Sequence, residues 1–574
     1  MRVRKSKGML SVSAIAGTHV VILGMNMKEA DCDGLLGFAI HRTDHEAEYS
    51  GWLEGMKTFE KTDPKLRAGL TVSSREHPFQ DFIWSDYTAK EGRKYTYRVV
   101  ALKGSPTDLH PVAEVSLSIT TESPEGGDHD VYFNRGAASS QAYARRFGNR
   151  KPGSEGGDDD PAWEWLSRGA HEAMLNFIGR AKKGWGLRVC AYEFRLESVA
   201  AALKEAAKRG ADVKVIYDGS KPFPADENRD TVAKAKLKGV CKERIPKPMA
   251  IPHNKFIVLL KGKKAVAVKT GSTNYSEGGV FGQSNVVHIV ENEKVAGAYL
   301  EYWELLKGNP TKNVLAPQLT AEHKLAKGLP PKGTSLVFSP RTDVDALEYY
   351  FLLAKSAKDA LFMSFPFGMH DGFKEAYRDG TASVRYALLD KLLGPGIPAP
   401  RKKNETEKAA DARKKKERAA AIKVMTDLRK MVANRFAVGN TMPLNQLDRW
   451  TREQLTGLNQ HVNFIHTKYM IIDPLSDDPI IVTGSANFST ASSTKNDENM
   501  LIIRGNKRVA DIYFGEYMRL WDHYAFREWA KSRKNAVGVT PSPDQPWHLK
   551  IDDSWWKRYF GGSAHSRLRQ YLAS

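Results

Sequence analysis

Short hydrophobic runs with alternating polar positions fill the first 121 residues of the chain. The clearest runs are residues 19–24, 36–41, 95–101 and 112–120, and clusters of Gly, Asp, Lys and Pro separate them. Alternation with a period of two places hydrophobic side chains on one face of a strand, and no helical period competes with it here. The pattern therefore predicts a small antiparallel β-sandwich over residues 1–121.

Helical periodicity replaces this pattern after a junction that we place at residues 122–161, where two glycine-rich stretches interrupt the hydrophobic pattern. A helix is predicted over residues 162–182, followed by a strand over 187–194, an amphipathic helix over 196–209 and a strand over 213–218. A strand–helix–strand order requires a crossover connection, which joins parallel strands. The second unit is therefore predicted to be an α/β domain.

The same order of elements returns later in the chain. Residues 361–367 predict a strand, 371–378 a helix and 384–390 a second strand. Phe194 and Asp218 are 24 residues apart, and their counterparts Phe367 and Asp390 are 23 apart. We therefore predict a duplicated α/β fold with a first half over residues 162–315 and a second half over 316–574.

The second half contains about 41 extra residues, because Asp218 precedes His253 by 35 positions whereas Asp390 precedes His466 by 76. This insertion, at about residues 395–435, includes a stretch over 401–430 with 12 Lys or Arg against 5 Asp or Glu, and its alanine-rich segments predict a helix. This helix could present a solvated face, or its basic side chains could contact phosphate groups of a ligand. The candidate phosphate contacts are Arg413, Lys414, Lys415 and Lys416.

Two copies of one short pattern stand out within the duplication. Each copy has a histidine, a lysine two positions later, a glycine 18 positions after the histidine and an asparagine 21 positions after it. The copies are His253, Lys255, Gly271 and Asn274 in the first half and His466, Lys468, Gly484 and Asn487 in the second. Either short motif alone is weak, but both motifs, repeated at one spacing, predict a composite site built from the two halves.

The composition of the chain favours a polyanionic binding partner. The net charge of +20 and the isoelectric point near 9.5 favour polyanion partners, either nucleic acid or an anionic lipid surface. Three cysteines do not suggest a disulfide framework, and no metal-binding spacing such as CxxC or HExxH occurs. Basic residues precede an apolar stretch at the amino end, but its alternation predicts strands rather than a signal peptide, so we expect a cytoplasmic protein.

The residue types in the repeated pattern suit phosphodiester chemistry. A histidine and a lysine two apart on a strand point to the same side. Glycine lets the backbone approach a ligand, and asparagine supplies amide donors. Two such sets facing each other give two imidazoles for reaction and a cationic cradle for phosphate oxygens, with Ser272 and Ser485 as further candidate substrate-binding groups.

On these motifs the chain resembles the phospholipase D superfamily over roughly residues 160–530. The second half matches all three parts of the family's signature, namely HxK, an aspartate and GSxxN, and Asp473 is the aspartate. In the first half, Leu260 replaces that aspartate. The resemblance implies a doubled α/β/α sandwich with the site at the junction of the halves, no cofactor or metal, and Asp473 as a structural support. The amino-terminal sandwich lies outside this resemblance and weakly resembles a fibronectin type III module.

The resemblance also implies a two-step reaction through a phosphohistidine. One histidine attacks phosphorus and the other protonates the leaving oxygen, while the lysines and asparagines stabilise the phosphorane. Tyrosyl-DNA phosphodiesterases look similar in pairing one histidine with a glutamine and the other with a glutamate. By that analogy we predict Gln283 beside His253 and Glu498 beside His466. A carboxylate raises the pKa of an imidazole, so His253 is predicted to be the nucleophile and His466 the general acid.

Three functions remain open at this point. Basic charge and the basic insertion favour a nuclease acting on DNA or RNA. A phospholipase D or transphosphatidylase would use the same chemistry, and Trp555 and Trp556 would then be candidates for an interfacial contact. A polyanion-binding protein without turnover is disfavoured because both motif sets are complete. A dimer is not needed to complete the site.

Overall fold

The computed structural model describes residues 1–67, 69–136, 140–220, 222–394, 397–440, 464–534 and 548–573. Ten strands form the amino-terminal region, as the alternating pattern predicts. They are β1 (Arg2–Lys7), β2 (Leu10–Ala16), β3 (Val21–Asn26), β4 (Leu35–Asp44), β5 (Tyr49–Trp52), β6 (Glu54–Gly55), β7 (Val72–Ser73), β8 (Ile83–Asp86), β9 (Lys94–Ser105) and β10 (Asp108–Thr120). Two four-stranded antiparallel sheets, β1-β2-β3-β8 and β10-β9-β4-β5, share one hydrophobic core, and β6 pairs with β7.

The first half is built on a seven-stranded mixed sheet. Its strands are β11 (His129–Phe133), β12 (Trp185–Ala191), β13 (Asp212–Asp218), β14 (Cys241–Arg244), β15 (Lys255–Lys261), β16 (Lys264–Gly271) and β17 (Val286–Val290). Its helices are α1 (Gln141–Phe147), α2 (Pro161–Ser167), α3 (Ala170–Gly179), α4 (Glu197–Lys208), α5 (Pro222–Lys234) and α6 (Glu293–Lys307). The strand order is β11-β17-β16-β15-β12-β13-β14, with β12, β13 and β14 parallel.

Two local features differ from the sequence prediction in this half. The helix expected over residues 162–182 is two helices, because Arg168 and Gly169 adopt left-handed backbone angles with φ of 49° and 83°. Residues 129–133, which we assigned to the junction, form the edge strand β11 and pair antiparallel with β17. The junction therefore contributes an edge strand to the sheet of the first half.

The second half repeats this sheet strand for strand. Its strands are β18 (Gly333–Ser339), β19 (Ala360–Phe365), β20 (Val384–Leu389), β21 (Asn434–Val438), β22 (Tyr469–Ile472), β23 (Ile480–Gly484) and β24 (Glu498–Arg504), ordered β18-β24-β23-β22-β19-β20-β21. The remaining helices of this region are α7 (Lys312–Glu322), α8 (Asp345–Lys355), α9 (Asp371–Asp379), α10 (Glu407–Lys430), α11 (Thr490–Thr494) and α12 (Lys507–Lys534). The predicted duplicated α/β fold is confirmed, and the predicted insertion helix is α10.

A central hydrophobic core holds the two halves together. One face of each sheet packs against α6 and α12, which lie between the sheets and contribute large buried side chains such as Tyr299, Trp303, Tyr513 and Tyr517. The outer face of the first sheet is covered by α2, α3 and α4, and the outer face of the second by α8 and α9. Each sheet is thus buried on both faces, which explains its nearly continuous hydrophobic strands.

The last described segment returns to the amino-terminal sandwich. It contains α13 (Ser554–Lys557) and α14 (Ala564–Ala573). Trp555, Trp556 and Tyr559 are buried in the core of the sandwich, and Trp555 Nε1 donates to the carbonyl of Leu35 at 2.7 Å. The two tryptophans are therefore core residues rather than the interfacial pair considered for a lipid enzyme. Among the described helices, none is long and apolar enough to cross a membrane.

We predict that Trp555→Ala destabilises the amino-terminal sandwich, because the change removes a buried ring that packs against Phe38 and Phe82. The expected loss is about 3–5 kcal/mol in the free energy of unfolding, measured by urea denaturation. Ile551→Ala is the matched control, because Ile551 is 69% exposed and should change stability by less than about 0.5 kcal/mol. Equal stability of the two variants would contradict the packing role of Trp555.

Candidate active site

The two motif histidines come from opposite halves and line one cleft of about 1110 Å³. Each half reaches across to the other through a short backbone bridge. His253 N donates to the carbonyl of Asp497 at 2.9 Å, and His466 N donates to the carbonyl of Ser284 at 3.2 Å. These bridges, Pro252 with Asp497 and Ser284 with Ile465, place the histidines around a pseudo-twofold axis. The sequence-predicted composite site is therefore present in the structure.

The lysines and asparagines of the motifs surround the histidines in matching positions. Lys255 and Lys468 are fully buried, and each ammonium donates at 2.5 Å to the carbonyl of the histidine two positions before it. Asn274 and Asn487 line the cleft, and in the described structure their buried Oδ1 atoms have no hydrogen-bond partner. An unpartnered buried amide oxygen is costly, and each of these two atoms is an acceptor that a donor group of a ligand would satisfy.

The partners of the histidines differ from the sequence prediction. His253 Nδ1 lies 2.9 Å from Glu498 Oε2, and His466 Nδ1 lies 2.9 Å from Asn285 Oδ1. Glu498 therefore pairs with His253 rather than His466, and Gln283 does not serve as the predicted partner of His253. The reason is that the halves cross over: the turn after each GSxN motif supports the histidine of the opposite half.

Spacing along the chain already contained the signal for Asn285. Gly271 precedes Asn285 by 14 residues (285 − 271), and Gly484 precedes Glu498 by 14 (498 − 484). The strand register agrees, since Gly271 pairs with Val287 and Gly484 with Met500, each two residues beyond the buttressing side chain. Gln283 is two positions too early. Its backbone amide donates to the Gly278 carbonyl at 2.9 Å, and its side chain lines the cleft.

The hydrogen bonds around Asn285 fix the tautomer of His466. Asn285 Nδ2 donates to the carbonyl of Gly279 at 2.7 Å, so the amide oxygen faces the imidazole and accepts from Nδ1. Glu498 accepts from His253 Nδ1 in the same way. Both imidazoles then present Nε2, either as a lone pair or as a protonated donor.

Burial dominates the charge state of the two histidines. It lowers the pKa of His253 below 6.5, although the Glu498 carboxylate acts in the opposite direction. It holds the pKa of His466 well below 6.5, and the neighbouring Lys468, Lys255 and His253 lower that pKa further. Without a bound anion, His466 is therefore the harder of the two to protonate.

The buried lysines respond to the same environment. Burial lowers the pKa of Lys255 to about 7, and burial with repulsion from Lys255 holds the pKa of Lys468 well below 10.5. Lys269 is also fully buried, 3.3 Å from the carbonyl of Lys255, and its pKa is lowered for the same reasons. A bound phosphate would reverse these shifts by supplying the missing negative charge.

The two serines predicted to bind substrate form hydrogen bonds to the side chains that support the histidines. Ser272 Oγ donates to Asn285 Oδ1 at 2.8 Å, and Ser485 Oγ donates to Glu498 Oε2 at 2.6 Å. Both serines are fully buried, and neither lines the cleft. Each hydroxyl is engaged by the side chain that supports a histidine, so the serines help to orient these supports.

Asp473 lies away from the cleft, at the far end of β22. Its carboxylate accepts from the backbone amides of Lys358, Asp359 and Ala360 at 2.8 to 2.9 Å, which ties β22 to the start of β19. In the first half the corresponding residue, Leu260, is still within β15 and packs in the central core. The missing aspartate thus removes a strand tie and no reacting group.

The predicted phosphate contacts on the insertion also lie outside the cleft. Arg413 is held by Glu405 and Glu417, at 2.8 and 3.0 Å. Lys414, Lys415 and Lys416 project from α10, which packs against α9 and β21 at the edge of the second sheet. None of the four lines the cavity that contains the histidines, because α10 packs against the edge strand β21.

Sequence reasoning missed a buried ion pair that joins the halves beside the site. Arg244, at the end of β14, contacts Asp497 at 2.9 Å, and each side chain is at most 2% exposed. Asp497 immediately precedes Glu498 and bonds through its backbone to the strand leading to His253. The pair fixes the position from which Glu498 reaches the imidazole.

One wall of the cleft combines acidic and aromatic side chains, which were also not predicted. The ring of Tyr192 lies 4.9 Å from that of His253, and beside it Arg195 binds both Glu193 and Glu227. The opposite wall, from the second half, contributes Phe367, Lys391 and Leu393. The cleft is therefore chemically different on its two sides. The described residues contain no group of three or more His, Cys, Asp or Glu arranged to hold a metal ion.

The model of the cardiolipin synthase phospholipase D-like domain matches residues 174–306 and 404–521, one match in each half. No curated protein sequence is significantly similar to the chain. Nuc from Salmonella typhimurium, a phospholipase D family member, is 27% identical over 24% of this chain and 88% of its own, with a TM-score of 0.21.

Two further solved structures are similar over longer stretches. Phosphatidylserine synthase of Haemophilus influenzae is 11% identical over 65% of this chain and 91% of its own, with a TM-score of 0.42. A variant of yeast tyrosyl-DNA phosphodiesterase is 11% identical over 58% and 86%, with a TM-score of 0.32. Because these TM-scores are low, the assignment of the chain to a family depends on the family model and on the geometry of the two motifs.

Each half of the doubled α/β body contributes a histidine and an asparagine to the lining of one cleft, with a buried lysine two positions after each histidine. This arrangement defines a class of phosphodiester-acting enzymes. The chain belongs to the phospholipase D superfamily.

We predict that binding of an oxyanion such as tungstate takes up protons. The pKa values of His253, His466, Lys255 and Lys468 are all lowered in the free protein, and a bound anion raises them, so affinity should fall as pH rises above neutrality. Calorimetry near pH 7.5 in buffers of different ionisation enthalpy should give an uptake of about one proton or more. Lys255→Met should take up less, and binding without proton uptake would contradict this electrostatic description.

Proposed function

We propose that the protein is a metal-independent phosphodiesterase that acts through a phosphohistidine, with nucleic acid as its preferred substrate. The observation that supports this proposal best is the pair of imidazoles in one cleft, each anchored at Nδ1 by the opposite half and each presenting Nε2. One can attack phosphorus while the other transfers a proton to or from the oxygens.

In the first step, the lone pair on His253 Nε2 forms a bond to phosphorus and the bond from phosphorus to the leaving oxygen breaks. His466 donates its proton to that oxygen. In the second step, water attacks phosphorus, His466 accepts the proton of the water, and the nitrogen–phosphorus bond breaks. Lys255, Lys468 and the amides of Asn274 and Asn487 stabilise the charge on the non-bridging oxygens.

We retain His253 as nucleophile, but for a different reason than the sequence suggested. Attack through Nε2 leaves a positive charge on the ring, and the Glu498 carboxylate at Nδ1 stabilises that charge as it forms. His466 lies beside two lysines and has a neutral partner, so once protonated next to a bound phosphate it is a strong acid. If the histidine beside the carboxylate were instead the general acid, as the pKa argument from the sequence assumed, the two roles would be reversed. Trapping of the intermediate distinguishes these assignments.

The preference for nucleic acid is supported by charge. The chain has a net charge of +20, and α10 presents a row of exposed lysines. Leu393 and Gly394 line the cleft, and the backbone of Ala399, five residues after Gly394, binds Glu417 and Arg413 of α10. This tie is the basis for proposing that the basic helix binds phosphates beyond the one that reacts.

A phospholipid-directed activity is the second candidate, and the acidic-aromatic wall favours it. Carboxylates of Glu193, Glu227 and Asp230 line the first-half side of the cleft together with Phe223. Such a wall suits a cationic alcohol group attached to the reacting phosphate better than a second phosphate.

A paired assay with EDTA present distinguishes the two substrates. We expect degradation of plasmid or single-stranded DNA without release of choline from phosphatidylcholine vesicles. Choline release without DNA degradation would overturn the nucleic-acid proposal and leave the phosphodiesterase mechanism in place. His253→Ala and His466→Ala are each expected to lose the activity that the wild type shows, and a near-normal rate in either variant would contradict the composite site.

Trapping of the intermediate tests the roles of the histidines. With a substrate that has a good leaving group, His466→Ala should accumulate phosphate on His253, because the second step lacks its general base. His253→Ala should accumulate none. Mass spectrometry of the rapidly quenched enzyme identifies the modified residue, and phosphate on His466 in the His253 variant would reverse the assignment.

Charge reversal on α10 tests its part in binding. The triple variant of Lys414, Lys415 and Lys416 to Glu should weaken DNA binding and reduce the slope of log affinity against log salt by up to about 3, while turnover of a small phosphodiester stays unchanged. Lys261, Lys263 and Lys264, in the β15–β16 turn at the far end of the sheet, give a matched triple reversal. Equal weakening by both triples would show that α10 has no specific role.

A further inference from the structure

Asn134 follows directly after β11, in the segment that connects the amino-terminal sandwich to the first half. It is 1% exposed and lies outside both stretches that match the family model. Its side chain does not line the cleft, and both of its polar atoms are bonded to the protein. Its hydrogen bonds nevertheless lead to the imidazole of His466.

All polar atoms of the Asn134 amide hold the turn that carries Asn285. Asn134 Nδ2 donates to the carbonyls of Val280 at 2.7 Å and Gln283 at 2.6 Å, and Oδ1 accepts from the backbone amide of Asn285 at 2.8 Å. Asn285 in turn accepts from His466 Nδ1 at 2.9 Å. One residue therefore separates Asn134 from a reacting imidazole.

The backbone around Asn134 is itself held by a buried arginine–glutamate cluster. Arg168 donates to the carbonyls of Phe133 and Asn134, and Arg519 donates to the carbonyl of Arg135 at 2.8 Å. Both guanidinium groups also bind the carboxylate of Glu516, which is on α12. A segment of irregular backbone is thus fixed at three successive carbonyls, which makes Asn134 a rigid support.

The second half lacks an equivalent of this side chain. Phe133 pairs with Val286 and Phe338 pairs with Asn499, so Ser339 occupies the position that corresponds to Asn134. Among the described residues, no hydrogen bond joins Ser339 Oγ to the turn before Glu498. That turn is held instead by the Arg244–Asp497 ion pair. The two histidines therefore have different supports, one neutral and one ionic.

We propose that Asn134 is a positioning residue for His466, acting through Asn285 to hold the imidazole with Nδ1 protonated and Nε2 directed at the reacting phosphate. The catalytic part of this proposal rests on the proposed function, because His466 must exchange a proton with substrate oxygens. The neutral amide relay holds the ring without adding a negative charge that would weaken it as an acid. A small displacement of a reacting group, near 1 Å, can cost about 10²-fold in rate.

The test compares Asn134→Ala with Ser339→Ala on bis(4-nitrophenyl) phosphate. We expect Asn134→Ala to lower kcat about 10²-fold with little change in KM, and to lengthen the lifetime of the phosphorylated enzyme, since His466 serves both steps. Ser339→Ala should retain the wild-type kcat. Asn134→Ser, which keeps an acceptor and one donor, should recover part of the lost rate and guards against a variant that does not fold.

A measurement without substrate separates this proposal from the proposed function. Nitrogen-15 NMR of selectively labelled His466 should show a protected Nδ1–H in the wild type and in Ser339→Ala, and rapid exchange of that proton in Asn134→Ala. If folded Asn134→Ala keeps both the protected Nδ1–H and the wild-type kcat, Asn134 is not a positioning residue. If the wild type hydrolyses no phosphodiester but the NMR difference is present, the proposed function fails while the positioning of His466 stands.

Discussion

Each motif imidazole is held at Nδ1 by a side chain from the opposite half of the molecule, and the geometry of the cleft depends on this crossed arrangement. Glu498 of the second half holds His253, and Asn285 of the first half holds His466. Neither half alone contains a correctly oriented histidine. The central core around α6 and α12 and the buried Arg244–Asp497 pair fix the distance and rotation between the sheets that the crossing requires.

The same arrangement concentrates positive charge where water is excluded. Lys255, Lys468 and Lys269 are fully buried, and Glu498 is the carboxylate that directly contacts the catalytic groups. Burial of unpaired charge is costly, and the protein meets that cost by lowering the pKa of these bases rather than by adding carboxylates. The free site is thus electrostatically incomplete, and a phosphate completes it.

The sequence predicted the parts of the fold and site that follow local periodicity or exact repetition. The two sheets, the insertion helix and the paired His, Lys and Asn residues were all accessible in this way. The analogy with a glutamine–glutamate pair predicted Gln283, whereas equal spacing from the two motif glycines indicates Asn285. The roles of Ser272 and Ser485 depend on where buried hydroxyls point, which residue type alone does not determine.

Other differences arise from long-range packing, which the sequence pattern does not encode. Strand β11 is only five residues long and lies in a glycine-rich junction, so its pairing with β17 had no local signature. Lys414, Lys415 and Lys416 belong to an insertion that precedes His466 in the chain, yet α10 packs at the sheet edge. For Gln283 and for these lysines, the residue type suggested a contact, but residue type alone does not determine which neighbour a side chain has in the folded protein.

The return of Trp555, Trp556 and Tyr559 to the amino-terminal sandwich has a consequence for biosynthesis. Domains generally fold in the order in which they leave the ribosome. Here strands β1 to β10 cannot complete their core until residues more than 400 positions later have been made. The two α/β halves lie between these segments, so both halves are synthesised before the sandwich can close.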